Sequence, residues 1–128
     1  MATALREPPT RPPIDWRGED LSRRRFYGSD LRWADLREAD LTGSVLTYAD
    51  LRDADLSGAC LNGAALTGAD LTGANLAGSD LRGAVLLGAT LYRAELEGAA
   101  FDDDTRFPPH VDPLARGAVY SDPLDGLR

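Results

Sequence analysis

The chain has no lysine, one cysteine, one histidine and no proline between Ile14 and Phe107. Each absence removes a class of explanation. A single thiol, Cys60, permits no internal disulfide and fits a reducing compartment. A single imidazole, His110, lies in the C-terminal tail, so neither a Ser/His/Asp triad nor a His-based zinc site has its parts. No apolar run suggests a signal peptide or a membrane span, and a cytoplasmic protein without membrane contact is expected. Fourteen arginines face twenty-one acidic residues, and the net charge of −7 opposes direct nucleic-acid binding through phosphates. Glycines recur singly rather than in a phosphate-cradling cluster. No enzyme, cofactor or metal is expected.

What is present is a period of five. Leu or Phe stands at Leu21, Phe26, Leu31, Leu36, Leu41, Leu46, Leu51, Leu56, Leu61, Leu66, Leu71, Leu76, Leu81, Leu86, Leu91, Leu96 and Phe101 without a miss. Neither a helix nor a strand has this spacing, and a fixed internal period marks a repeat architecture. Two residues before each of these seventeen centres, twelve positions are Ala and three are Ser; one residue before, Asp predominates. Two residues after, Gly recurs, as at Gly58, Gly63 and Gly68. Gly there supplies the positive φ of the third position of a type II turn. Each unit therefore reads as one short extended side and one tight corner. The Ala and Leu columns point inward into a narrow interior, and the other three columns point outward. All eight prolines flank the repeats, as a ladder that uses the backbone N–H groups requires.

The units Ala49-Asp50-Leu51-Arg52-Asp53 and Ala74-Asn75-Leu76-Ala77-Gly78 resemble those of the pentapeptide-repeat family. The resemblance covers residues 20–101 and implies an all-β fold, a right-handed, quadrilateral parallel β-helix in which four units make one coil. About four coils are expected, a solenoid roughly 20 Å long at the ~4.8 Å strand spacing. Residues 1–19 read as a Pro/Arg-rich N-terminal arm in which Ile14 and Trp16 fall in register with the inward columns; either they plug one end or the tail of a second molecule caps it. Residues 102–128 read as a C-terminal tail and cap. Asp102, Asp103 and Asp104 suggest either a calcium site or, as the stronger reading, a charge run that discourages strand addition at an open edge.

Stacked residues recur every twenty positions, which sorts the outward columns onto four sides. The first carries Asp30, Asp50 and Asp70 interleaved with Arg32 and Arg52. The second carries Asp35, Asp55, Asn75 and Glu95, and the third Asp20, Asp40, Cys60 and Asp80. Cys60 there reads as a tolerated small residue, with a redox or intermolecular-disulfide role as the alternative. The fourth side has lost its acidic column: Arg25, Val45, Ala65 and Val85 stand where Asp is usual, followed by Tyr27, Thr47, Thr67 and Leu87, with Tyr48 at a corner. An apolar strip on a soluble protein usually marks a contact. The tail folding back over it, a homodimer or partner surface, and drift within the repeat are the three explanations. Tyr27, Val45, Thr47, Tyr48, Ala65, Thr67, Val85 and Leu87 are the candidate interaction residues, and Trp33, at a corner, is a further one.

Two functions compete. One is a non-enzymatic scaffold for protein–protein interaction, its partner unnamed and a homodimer among the options. The other comes from the resemblance: some family members are DNA mimics that bind and protect type II topoisomerases such as gyrase, conferring antibiotic resistance. Against it, residues 20–101 carry twelve acidic and eight basic side chains, and that acidic column belongs to the repeat itself. About four coils also span only some six base pairs at ~3.4 Å each. Ice binding through a flat Thr array fails, because Arg25, Val85 and Leu87 interrupt the stack of Thr47 and Thr67.

Overall fold

A computed structural model describes residues 7–121; residues 1–6 of the expected arm and 122–128 of the expected tail lie outside the described residues. Fourteen parallel bridges join a residue to the one twenty positions later, from Asp15↔Asp35 through Asp80↔Ala100. Four pentapeptides therefore close one turn of a four-sided parallel β-helix.

The unit around Leu51 shows why five residues suffice. Asp50 N–H donates to Ser29 C=O one coil below at 2.9 Å, and Leu51 N–H donates to Asp70 C=O one coil above at 2.8 Å. Asp53 N–H donates upward to Thr72 C=O at 3.0 Å, and Ala54 N–H closes the corner on Leu51 C=O at 3.1 Å. One donor of the five, Arg52 N–H, has no backbone partner, and the Asp50 carboxylate two residues back accepts it at 3.3 Å. The same bond recurs at Asp20, Asp30, Asp35, Asp40, Asp55, Asp70 and Asp80, and Asn75 makes it with its amide oxygen. Asp and Asn fill this column because their short side chains reach back to a backbone N–H two positions on.

The core is a shaft of stacked leucines and alanines. The Leu centres from Leu21 to Leu96 are buried, as are the Ala of their column from Ala34 to Ala99. The two Phe centres, Phe26 and Phe101, are only partly buried. Ser44 and Ser79 stand in the Ala column with their hydroxyls buried and without a hydrogen-bond partner among the described residues.

The ladder reaches one unit further toward the N-terminus than the 20–101 span. Asp15 bridges Asp35, Gly18 forms a corner at φ +67°, and Trp16 takes the central position, its ring 5.5 Å from that of Phe26. At the other end the register slips by one residue, because Val85 bridges Arg106. Thr105 is thereby turned inward, and its hydroxyl donates to Leu81 C=O at 2.9 Å. Strand β1, Ala100–Phe101, then pairs in parallel with β2, Val119–Tyr120, after a 3₁₀ turn at Leu114–Arg116. The described tail thus covers the end of the shaft, with Phe107 and Val111 packed on the core, and leaves the fourth side open.

Candidate interaction surface

Three sides are ruled by charge. Arg forks grip the carboxylate two residues earlier in five units: Asp15–Arg17, Asp30–Arg32, Asp35–Arg37, Asp50–Arg52 and Asp80–Arg82, with both oxygens engaged at 2.6–2.9 Å. Four of these guanidinium groups also lean toward the Asp of the coil above: Arg17 to Asp35 at 3.5 Å, Arg32 to Asp50 and Arg52 to Asp70 at 3.8 Å, and Arg37 to Asp55 at 4.0 Å. The first two sides therefore carry a staircase of alternating sign. The Arg32 fork, helped by Arg11, holds the Asp30 carboxyl well below the usual carboxylate range, and the Arg37 fork lowers that of Asp35. Burial alone would raise Asp80, but the Arg82 fork outweighs it and the net shift is downward.

On the third side Cys60 is half-buried, its Sγ 3.2 Å from Thr42 Oγ1. The acidic run is divided in its work. Burial of Asp102 is offset by the N–H groups of Gly83, Asp104 and Thr105, all donated to one carboxylate oxygen at 3.0–3.1 Å, and its pKa falls. Asp102 is thus the organiser of the closing turn, while Asp103 accepts a bond from the Tyr120 hydroxyl at 2.9 Å. Among the described residues no group of His, Cys, Asp and Glu side chains is arranged to hold a metal ion.

The fourth side differs in kind. Without Asp at positions 25, 45, 65 and 85, the N–H groups of Tyr27, Thr47, Thr67 and Leu87 have no acceptor among the described residues. Elsewhere the lapse is scattered, at Asn62, Tyr92 and Glu97. Here it runs the length of the side. Around these donors Tyr27 is 66%, Tyr48 60% and Leu87 46% exposed, while Val45, Thr47, Ala65, Thr67 and Val85 are half-buried between them. Tyr27 and Tyr48 meet edge to face at 5.7 Å. The surface is a strip of apolar groups threaded by backbone donors.

The unit pattern matches the family model for pentapeptide repeats in eight copies, over residues 15–43, 25–63, 34–73 and 69–103. The chain is a pentapeptide-repeat protein. Among solved structures it is similar to a pentapeptide repeat protein from the cyanobacterium Cyanothece 51142, at 40% identity and TM-score 0.75, covering 77% of this chain and 67% of that one. It is also similar to a pentapeptide repeat protein of the Arabidopsis thaliana thylakoid lumen, at 36% identity and TM-score 0.70, covering 79% and 68%. QnrB1, a plasmid-mediated fluoroquinolone resistance protein, aligns at 18% identity and TM-score 0.44, too distant to bear on function. No curated protein matches the chain.

Trp33, read as an exposed contact, is half-buried in this pentapeptide-repeat protein, and its indole N–H donates to Glu7 C=O at 3.2 Å. It holds the N-terminal arm to its corner. The pattern did not single out Tyr92, which occupies an outward column and is exposed, or the role of two arginines at the ends. Arg11 donates to Asp30 C=O at 2.9 Å at one end; at the other, Arg116 donates to the carbonyls of Leu91 and Ala94 at 2.9 and 2.7 Å. Asp30 C=O and Ala94 C=O are carbonyls that the open edges leave over, while Leu91 C=O also accepts the Ala94 N–H at 3.1 Å.

Proposed function

We propose that this protein is a non-enzymatic scaffold for protein–protein interaction, a right-handed β-helix of about four coils whose fourth side is the contact surface. One observation carries the reading: on that side alone every unit lacks the carboxylate that closes the repeat, so the N–H groups of Tyr27, Thr47, Thr67 and Leu87, without acceptors among the described residues, lie beside the exposed apolar side chains of Tyr27, Tyr48 and Leu87. Apolar area supplies affinity, and donors that must be matched supply specificity. The acidic-rod alternative has less to draw on, because five of the outward carboxylates are each paired with an arginine two residues away.

The test is a Val45→Asp/Val85→Asp/Leu87→Asp variant beside the wild type. Asp at positions 45 and 85 restores the residue the repeat prefers, so the variant is expected to fold and to keep its melting temperature. Loss of a partner or of self-association, read by affinity capture from native lysate and by sedimentation, supports the fourth side. A partner retained with unchanged affinity sinks it. If that retained partner is a topoisomerase and the protein inhibits gyrase supercoiling at micromolar concentration, the mimic reading replaces this one.

A further inference from the structure

The fifth coil is incomplete. Above the third side, Val119 N–H donates to Ala99 C=O and Gly98 N–H to Gly117 C=O, both at 2.8 Å, so non-repeat chain completes the ladder there. Above the fourth side Arg106 does the same on Val85. Above the first side, at Thr90, no described residue does. After Pro108 and Pro109, Val111 N–H closes a turn on Pro108 C=O at 3.0 Å instead of continuing the ladder. Leu91 N–H, Arg93 N–H and Ala89 C=O are left facing upward without partners among the described residues. They are the three groups that, in every coil below, bond the next rung.

This gap is a cleft of about 580 Å³ between the last coil and the tail, within the ~300–1,000 Å³ range of ligand pockets. Its floor is the unpaired edge and its far wall is Pro108, Pro109 and His110. Two cations border it in a protein of net charge −7: Arg93, at an exposed corner 5.3 Å from the Tyr92 ring, and Arg116, pinned by its bonds to Leu91 and Ala94. Neither Arg93 nor Arg116 has an acidic partner among the ion pairs of the described residues.

We propose that this cleft binds an extended acidic peptide segment of a partner protein, which adds the missing rung in parallel to Thr90. The peptide backbone accepts from Leu91 and Arg93 and donates to Ala89, and its carboxylates meet Arg93 and Arg116. The site is separate from the fourth side and stands whether or not that side is an interface.

The experiment is an NMR titration of the whole chain with acetyl-Glu-Val-Glu-Val-Glu-amide, its Gln counterpart and its Lys counterpart, following amide shifts and hydrogen exchange. With the Glu peptide, the Leu91 and Arg93 amides are expected to shift and to exchange about tenfold more slowly. Arg93→Gly, which also relieves a left-handed corner at φ +58°, is expected to weaken binding by about tenfold while the protein stays folded. Unmoved Leu91 and Arg93 amides at millimolar peptide, equal binding of the Lys peptide, or shifts confined to Tyr27 and Thr47 would each overturn the proposal.

Discussion

The ring of Tyr48 lies across Gly68, one coil above it, so closely that a methyl group on residue 68 would collide with it. Both residues sit at left-handed corners, Tyr48 at φ +57° and Gly68 at φ +68°. Glu38 covers Gly58 in the same manner. A large side chain at one corner is thus tolerated because the next coil presents only backbone beneath it. Gly68→Ala is expected to cost about 2–4 kcal/mol, the sum of a left-handed Cβ and a clash. In a Tyr48→Gly background the clash is gone and the cost should fall by at least ~0.5 kcal/mol. Chemical denaturation of the four proteins gives the coupling, and a coupling of zero would mean the ring moves aside freely.

Ser44 and Ser79 bury hydroxyls with no partner among the described residues, where twelve other units place alanine. Replacing either with Ala removes an unsatisfied polar group and adds no volume. Each substitution is expected to stabilise the protein by about 1–2 kcal/mol. A drop in the denaturant midpoint would show that the hydroxyl has a partner that this geometry does not provide.

The carboxylate column is an acceptor before it is a charge. Asp70 accepts Thr72 N–H at 3.0 Å and the Thr72 hydroxyl at 2.6 Å, and Asn75 serves Ala77 in the same position at 2.9 Å. Asp70→Asn is therefore expected to cost little, and Asp70→Ala about 0.5–1.5 kcal/mol. Equal stability of the two variants, measured by thermal melting, would remove the acceptor argument.

Acid should destabilise the molecule in a defined window. Asp30, Asp35, Asp80 and Asp102 all have folded-state pKa values below their ordinary value of 3.8. A depressed carboxylate contributes stability that is present above the unfolded pKa and is lost as pH falls through the folded one. Stability is expected to be level above about pH 5 with respect to these groups and to decline below about pH 4. Asp30→Asn should flatten part of that decline in a pH series of urea melts. The size of the effect will be modest, since the forks are solvent-accessible and screened.

The shaft was legible in the sequence because every coil repeats one solution: Leu21 to Leu96 and their alanines share a single environment, so fifteen leucine centres vote for the same geometry. The fourth side was legible for the same reason, as a column that breaks its own rule at positions 25, 45, 65 and 85. The ends were not. Trp16 stands where Leu is usual, and Arg24-Phe26 lacks both Ala and Asp, so the first coil sends a weak periodic signal although Asp15 already bridges Asp35. The placement of the tail rests on single contacts between distant residues, such as Arg116 with Leu91 and Ala94 or Trp33 with Glu7. No period announces these. Tyr27 and Tyr48 likewise come from different columns, and their edge-to-face contact exists only after the chain has coiled.

Each bridge spans twenty residues while the core repeats every five, and this four-to-one ratio works as a gear. Removing or adding one pentapeptide would leave the leucine shaft continuous, yet would turn everything beyond it by a quarter revolution. Val85 and Leu87 would then stand above a different flank from Val45 and Thr47. A lineage of such proteins can therefore shuffle its outer markings by single-unit gains and losses, without a single change to what lies inside.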